Sequence, residues 1–487
     1  MESFSWFSLL AGGAYLALII GFALTIMFQR RPVGVSLAWL VLLFALPLAG
    51  IILFLMFGTR RLGTKRVKRA EALYPTYEQW SRHLKEVICL QDTTSPHRHN
   101  RVYNLAEKAM NIPALPGNHL TLYHDSDSII NGLLTDIHNA TSSIYLEFYI
   151  WESGGRIDEI EAALLAAQTR GVHCLVLLDA VGSSSFLKSQ AAKRLKKAGV
   201  RLSEAMPVGP FRMLFERMDI RNHRKIAVID DAVAWSGSLN LMDPRLFKQN
   251  AGVGQWVDAM TRIEGPSAHV LASIILWDWE LETGDGLSVF RSAYQPPQSI
   301  AMNLHRADMH VLPSGPGIDR TLLHQVLLAA IYESSEELVI TTPYFIPDDA
   351  LLTALVSAAI RGVKVKLIVP ERNDSRLVHY ASRYYYEELL EAGVEIQQFN
   401  AGLLHTKCVL VDRSTVLFGT VNLDMRSVWL NFEVTLMVYD DNFGQEMGKL
   451  ADNYIRQSDR VFLDAWNRRG FPKRLAEGVF HLMSPLL

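Results

Sequence analysis

The chain opens with two long runs in which polar positions nearly vanish. No charged residue occurs over the 27 positions from Ser3 to Gln29, or over the 28 from Pro32 to Thr59. Each run exceeds the ~20 residues that a helix needs to cross a bilayer core. Only Gln29-Arg30-Arg31-Pro32 lies at the join, so the pattern predicts two helices, about 4–28 and 33–58, folded back as a transmembrane hairpin within residues 1–60. A secretory signal would have a shorter apolar region and a basic start, whereas this chain starts Met1-Glu2. A buried hairpin of a soluble domain is the alternative, and the length of both runs weighs against it. Pro47 falls inside the second run and predicts a kink there.

Beyond residue 60 the pattern changes to that of a soluble α/β protein. Residues 61–117 form a basic juxtamembrane segment and helical connector, with a polar break at Asp92-Thr-Thr-Ser-Pro96. Helix-period stretches at Ile129–Ala140, Glu159–Thr169 and Lys188–Lys197 then alternate with apolar strands at Ile144–Trp151 and His173–Leu178. The same order recurs further on. Leu338–Ile346 resembles Ile144–Trp151, Arg361-Gly-Val363 matches Arg170-Gly-Val172, and Ala392-Gly-Val394 matches Ala198-Gly-Val200. The predicted fold is α/β, with two tandem α/β domains at 118–283 and 309–487 related by pseudo-twofold symmetry and joined by a linker at 284–308.

Composition narrows the class. Of 487 residues 49% are hydrophobic and only 20% charged, which excludes disorder. The 48 basic and 50 acidic side chains nearly cancel, which argues against a protein that coats nucleic acid. Cys89, Cys174 and Cys408 are odd in number and widely spaced, so neither a disulfide framework nor a zinc ribbon is expected. Basic residues also set an orientation. Arg60, Arg61, Lys65, Arg66, Lys68 and Arg69 follow the second run, against Arg30 and Arg31 in the turn, which places the C-terminal part on the cytoplasmic side. The same cluster is expected to lie against anionic headgroups.

The chemistry sits where the repeat is strongest. His223, Lys225, Asp230, Gly237, Ser238 and Asn240 recur as His405, Lys407, Asp412, Gly419, Thr420 and Asn422, every pair separated by the same interval along the chain. On a strand, side chains two apart share a face, so each His lies with its Lys while Arg224 and Thr406 face away. If the two strands meet across the pseudo-twofold, two imidazoles and two ammonium groups converge. Ser238, Asn240, Thr420 and Asn422 can add neutral hydrogen bonds to a phosphate there. Two fixed cations suit a phosphodiester whose oxygens gather charge in the transition state. A neutral imidazole can attack phosphorus and a protonated one can serve the leaving oxygen. The lysines would stand in for a metal ion, so no metal and no cofactor is expected. Asp230 and Asp412 belong to the motif, but their place beyond the Lys falls on a turn and favours a structural role.

These paired motifs resemble the HKD motifs of the phospholipase D superfamily over roughly residues 118–487. Ala45-Leu-Pro-Leu-Ala-Gly50, Gly252-Val-Gly-Gln-Trp256, Thr342-Pro-Tyr-Phe345, Leu404-His-Thr-Lys407 and Gly419-Thr-Val-Asn-Leu-Asp-Met-Arg-Ser427 are similar to the membrane-type bacterial cardiolipin synthases over nearly the whole chain. The resemblance implies transfer of a phosphatidyl group from one phosphatidylglycerol to another through a phosphohistidine, in the bacterial inner membrane. Its partners would be phosphatidylglycerol and membrane lipids, with no nucleic acid; a homo-oligomer is neither required nor excluded. Superfamily precedent gives attack to His223 and proton delivery to His405. It also implies an acid that orients each histidine: Glu433, downstream of His405, and Asp258 as the counterpart in the first copy. Thr420 stands where the superfamily usually has Ser, and the hydroxyl is kept.

Other readings compete. A phospholipase D hydrolase would use the same residues with water as acceptor; a superfamily nuclease and a non-catalytic membrane scaffold are further alternatives. Copy one has an insert before its catalytic strand, including Phe211, Arg212, Leu214 and Phe215, and these suggest a loop that contacts membrane or lipid. Arg245 and Arg426 either bind a headgroup or pair with neighbouring acids. The tail from Lys473 to Leu487, basic and then apolar, reads as amphipathic.

Overall fold

The computed structural model describes residues 6–29, 33–58, 62–91, 101–110, 112–209, 212, 216–286, 306–317 and 321–484. Arg30, Arg31, Arg60, Arg61, Phe211, Leu214, Phe215, the polar break at 92–96 and most of the 284–308 linker lie outside them. The chain divides into two compact units, one made of Met1–Thr64 with Val208–Ile220, the other of Lys65–Pro207 with Arg221–Leu487.

In the first unit, helix Trp6–Phe28 is followed by a second apolar run that is not one helix. Helix Val33–Ala45 stops at Leu46, whose φ of −135° and ψ of 72° are not helical, and a new helix starts at Pro47 and runs to Leu53 before a π turn at Phe54–Gly58. The break follows from Pro47, whose ring disfavours the helical conformation at the residue before it. Phe54 packs edge-on against Phe22 and Trp39, around buried Ile19, Ile26 and Leu43. Among the described residues no helix is long and apolar enough to cross a membrane. The second run is broken into short pieces.

The second unit begins with helix Thr64–Gln91. Two of its basic residues are not available to headgroups, contrary to expectation. Arg66 makes a two-pronged ion pair with Glu282 at 2.9 and 2.8 Å, and Arg69 donates to the carbonyls of Leu281, Glu282 and Thr283. Both secure the C-terminal end of helix Pro266–Thr283, where unpaired carbonyls attract cations. Lys65 and Lys68 stay exposed.

The first half carries β1 Leu115–Tyr123, β2 Ser143–Phe148, β3 His173–Asp179, β4 Arg201–Ala205, β5 Lys225–Ile229, β6 Val233–Gly237, β7 Trp256–Val257 and β8 Met260–Glu264. The second carries β9 Ala307–Ser314, β10 Glu337–Thr341, β11 Phe345–Ile346, β12 Lys364–Pro370, β13 Glu395–Phe399, β14 Leu403–Leu404, β15 Cys408–Val411, β16 Thr415–Gly419, β17 Leu423–Asp424, β18 Glu433–Tyr439 and β19 Ser458–Val461. The strand expected at Leu338–Ile346 is split into β10 and β11 around Pro343, which cannot donate to a ladder.

Fifteen of these strands form one sheet rather than two. Outward from the antiparallel β1·β9 seam, one side reads β8-β6-β5-β2-β3-β4 and the other β18-β16-β15-β10-β12-β13-β19. The duplication is thus a twofold-like repeat inside a continuous sheet. The β2-β3-β4 and β10-β12-β13 triplets are parallel, as the alternation of strands and helices predicts, while the remaining neighbours are antiparallel. Cys174 and Cys408 are buried free thiols in β3 and β15.

Candidate active site

Each histidine lies just ahead of a strand: His223 before β5, His405 between β14 and β15. Both lead-in segments are held by the opposite half of the protein. The His405 N–H donates to the Val257 carbonyl at 2.8 Å, and β14 pairs in parallel with β7, Leu403 opposite Trp256. Likewise the His223 N–H donates to the Phe432 carbonyl at 2.9 Å, and Asn222 bridges Phe432.

This crossing decides which acid serves which histidine. Glu433 directly follows Phe432, and its carboxylate accepts from Nδ1 of His223 at 2.9 Å. Asp258 directly follows Val257 and accepts from Nδ1 of His405 at 2.6 Å. The expectation that each acid orients the histidine of its own copy is therefore corrected: the pairs are exchanged between the halves. With Nδ1 donating to a carboxylate, each ring keeps Nε2 for chemistry.

Residue type suits Ser238 and Thr420 to a phosphate, and the structure gives them another task. The Ser238 hydroxyl donates to Asp258 at 2.6 Å and accepts from the Ala259 N–H; the Thr420 hydroxyl donates to Glu433 at 2.6 Å and accepts from the Val434 N–H. Both are fully buried and lock the orienting acids in place. Asn240 accepts from the Ile150 N–H through Oδ1 and Asn422 donates to the Ser427 hydroxyl, so neither amide is wholly free for a ligand. The buried Oδ1 of Asn422 has no partner among the described residues.

Lys225 and Lys407 are buried, and each Nζ donates to the carbonyl of its own histidine, at 2.7 and 2.5 Å. Burial pushes Lys225 down to about 8 against the pull of Glu433 and Asp258. Burial and repulsion from Lys225 push Lys407 well below the usual ammonium range. That repulsion, and the effect of both lysines on both histidines, marks the four groups as one cluster. Burial pushes Glu433 and Asp258 up, but the facing histidine, a lysine and the hydroxyl outweigh it and hold both below their ordinary values. The site thus gathers two carboxylates, two lysine amines and two imidazoles.

Asp230 and Asp412 lie apart from this cluster, as turn residues with φ of +52° and +47°. The carboxylate of Asp230 accepts from the N–H groups of Thr141, Ser142 and Ser143, and that of Asp412 from those of Ser335, Glu336 and Glu337. These bonds overcome the opposing effect of burial and hold Asp230 at about 2. Each Asp ties its motif to the strand beside it. Arg245 pairs with Asp243 at 2.9 Å and reaches Asp127, which favours the pairing alternative. Arg212, exposed, pairs with Glu216 at 3.8 Å.

Several neighbours of the site escaped the sequence reading. Tyr149 meets His223 edge-on with ring centres 4.9 Å apart, and Trp256 lies 4.3 Å from His405. Both stand within stretches singled out in the sequence, Ile144–Trp151 and Gly252–Trp256, but aromatic type alone does not reveal a catalytic neighbour. Behind His223, Glu147 accepts from Asn222 at 2.5 Å, and burial pushes its carboxyl up to about 7. Arg224 is buried, ion-paired with Asp278, and donates to the carbonyl of Glu433 at 3.0 Å.

Burial, reinforced by the lysines, holds His223 and His405 at about 4, below the 6.5 of a free imidazole. Between pH 6.5 and 4 the unfolded chain therefore binds protons that the folded one refuses, so this contribution to stability falls as pH falls through that window. From pH 7 to pH 5 the loss should be about 2 kcal/mol per histidine. Glu147 works in the opposite sense, so the contrast to measure is between proteins. Melting temperature should drop less over this range for the His223→Gln, His405→Gln double variant than for the parent; equal drops would refute the assignment.

A family model described as cardiolipin synthase, phospholipase D-like domain, matches residues 133–264 and 327–455. Cardiolipin synthase A of Yersinia pseudotuberculosis serotype O:1b and that of Yersinia pestis bv. Antiqua are each 44% identical over 486 residues, 99% of this chain and 98% of theirs. Among solved structures, a phosphatidylserine synthase of Haemophilus influenzae superposes with a TM-score of 0.58 at 16% identity, covering 80% of this chain and 100% of its own, and so shares the fold. The two matched segments span the two motif copies, and the 44% identity runs from end to end: the chain belongs to the cardiolipin synthase family of phospholipase D-like proteins.

Proposed function

We propose that this protein is a cardiolipin synthase: it transfers the phosphatidyl group of one phosphatidylglycerol to the glycerol headgroup of another, releasing glycerol. The observation that carries the reading is the exchanged pair of His–carboxylate couples, each with a buried lysine beside it. His223, its Nδ1 proton held by Glu433, attacks phosphorus through Nε2. His405, held by Asp258, takes up a second proton when the bound phosphate anion favours its charged form, gives that proton to the departing glycerol oxygen and later removes one from the incoming hydroxyl. Lys225 and Lys407 offset the charge on the phosphoryl oxygens. Thin-layer analysis of the full chain with phosphatidylglycerol as sole lipid tests this: cardiolipin and glycerol are expected, whereas phosphatidic acid alone would make the enzyme a hydrolase. Because fixed lysines supply the positive charge, activity is expected to survive EDTA. Loss that only a divalent ion restores would remove that account.

We also propose that the first unit anchors the enzyme in the bacterial inner membrane with its catalytic unit in the cytoplasm. Helix Trp6–Phe28 carries no charged residue, and Leu16, Leu18, Ile20 and Leu24 stand exposed on it. The excess of basic residues after the second run favours the cytoplasmic side. The insert before His223 belongs to this same unit, which supports a lipid-contacting role for it. Replacing Phe211, Leu214 and Phe215 together by Ser should lower activity on bilayer substrate at least ~10-fold while sparing a soluble short-chain analogue, since only the former requires burial of apolar surface in lipid. Equal losses on both would make the loop structural.

A further inference from the structure

The two catalytic couples are near-equivalent, but the aromatic groups beside them are not. By the offset that relates Asp258 to Glu433, the counterpart of Trp256 in the second half is Asn431, which hydrogen-bonds Glu433 instead of packing on His223. The indole is firmly placed. β7 pairs with β14, Phe247 meets the ring edge-on at 5.2 Å, and the Lys248 ammonium lies 5.7 Å from its centre. Lys248 is fixed in turn by Asp374 of the second half, at 3.1 Å. Gly402 (φ +140°) allows this approach, since a Cβ there would collide with the Gln255 carbonyl.

One polar atom of this arrangement is unused. Trp256 is 5% exposed, and its Nε1–H has no hydrogen-bond acceptor among the described residues. A buried donor left unpaired is costly, and beside a reacting imidazole such a donor invites an acceptor from the substrate. The reaction narrows what that acceptor is. In the first half, the N–P bond to His223 forms, the P–O bond to glycerol breaks, and the proton of His405 goes to that oxygen. In the second, a glycerol hydroxyl of another lipid gives its proton to His405, its oxygen bonds to phosphorus, and the N–P bond breaks. The group beside His405 is a glycerol both times.

We propose that Trp256 forms the glycerol subsite of this reaction, its indole N–H donating to a glycerol hydroxyl and its ring keeping water away from His405, so that transfer outruns hydrolysis. This rests on the assignment of the chain as a cardiolipin synthase with His405 as its acid and base. Phosphatidylglycerol and graded free glycerol offered to the full-length enzyme make glycerol, a lipid headgroup and water compete for one phosphohistidine. Trp256→Phe keeps the ring and removes the donor. The glycerol concentration for half-maximal exchange of labelled glycerol into phosphatidylglycerol should rise about 5- to 10-fold, the worth of one neutral hydrogen bond. Trp256→Ala should in addition raise the share of phosphatidic acid among the products. An unchanged glycerol requirement in Trp256→Phe, or an unchanged product ratio in Trp256→Ala, overturns the proposal even if total rates fall, because a merely structural role lowers all three products together. A parent enzyme that makes no cardiolipin overturns the underlying assignment instead.

Discussion

Replacing either His223 or His405 by alanine should lower phosphatidyl transfer by ~10⁴-fold or more, and replacing both should cost little beyond that, since members of one catalytic unit act non-additively. The two rings share one cluster with Lys225 and Lys407, and both lysines act on the ionisation of both rings. Rate measurements on the two single variants and the double variant check this. A double variant whose loss is the product of the single losses would mean two independent sites. Turnover of phosphorus-labelled phosphatidylglycerol, quenched in detergent at alkaline pH because an N–P bond is lost in acid, should leave label on the peptide containing His223 in the parent enzyme, and on no peptide in His223→Ala. Label on the His405 peptide would reverse the two roles.

Much of this was open to a reader of the sequence, for a definable reason. Duplication writes itself into spacing, so the constant offset from His223 to His405, Lys225 to Lys407 and Asn240 to Asn422 exposes the two motifs and the order of elements around them. What spacing does not carry is which half a segment pairs with. The bonds from His223 to Phe432 and from His405 to Val257 span the seam, and nothing local to either histidine signals them. Residue chemistry is equally mute about direction. A serine or threonine hydroxyl suits a phosphate as well as a carboxylate, and only the fold turns Ser238 and Thr420 toward Asp258 and Glu433. Arg66 and Arg69 read as headgroup ligands because a helix C-terminus and a phosphate attract the same cation.

The symmetry itself is incomplete in a way the motifs conceal. Asn222 and Arg224 become Leu404 and Thr406 at the same offset, and Glu147, opposite Ile226, is replaced by Thr341, opposite Cys408. Behind His223 there are therefore ionisable groups, Glu147 bonded to Asn222 and Arg224 paired with Asp278; behind His405 there is a neutral pair, Thr406 with the hydroxyl of Tyr454 at 2.9 Å. Two groups with identical chemistry are thereby given different surroundings, which a reaction with one nucleophile and one proton carrier requires.

The exchange of acids between the halves gives the sharpest test of that division. Glu433→Gln removes the carboxylate that holds the Nδ1 proton of His223, and the glutamine amide can instead donate to Nδ1, leaving the proton on Nε2 and the lone pair on the wrong nitrogen. A comparable change in a His–carboxylate pair of another enzyme costs about 10⁴-fold, so formation of the phosphohistidine should slow by ~10³–10⁴-fold. Asp258→Asn should disturb His405 to a similar degree with natural phosphatidylglycerol, because glycerol is a poor leaving group and needs a proton. With a phosphatidyl ester of p-nitrophenol the demands separate, since nitrophenolate departs without protonation. Release of nitrophenol should then recover most of its rate in Asp258→Asn and stay slow in Glu433→Gln. If each acid served the histidine of its own half, the recovery would appear in Glu433→Gln instead. The pattern of rescue therefore reads the crossed hydrogen bonds, 2.9 Å from His223 to Glu433 and 2.6 Å from His405 to Asp258, directly from kinetics.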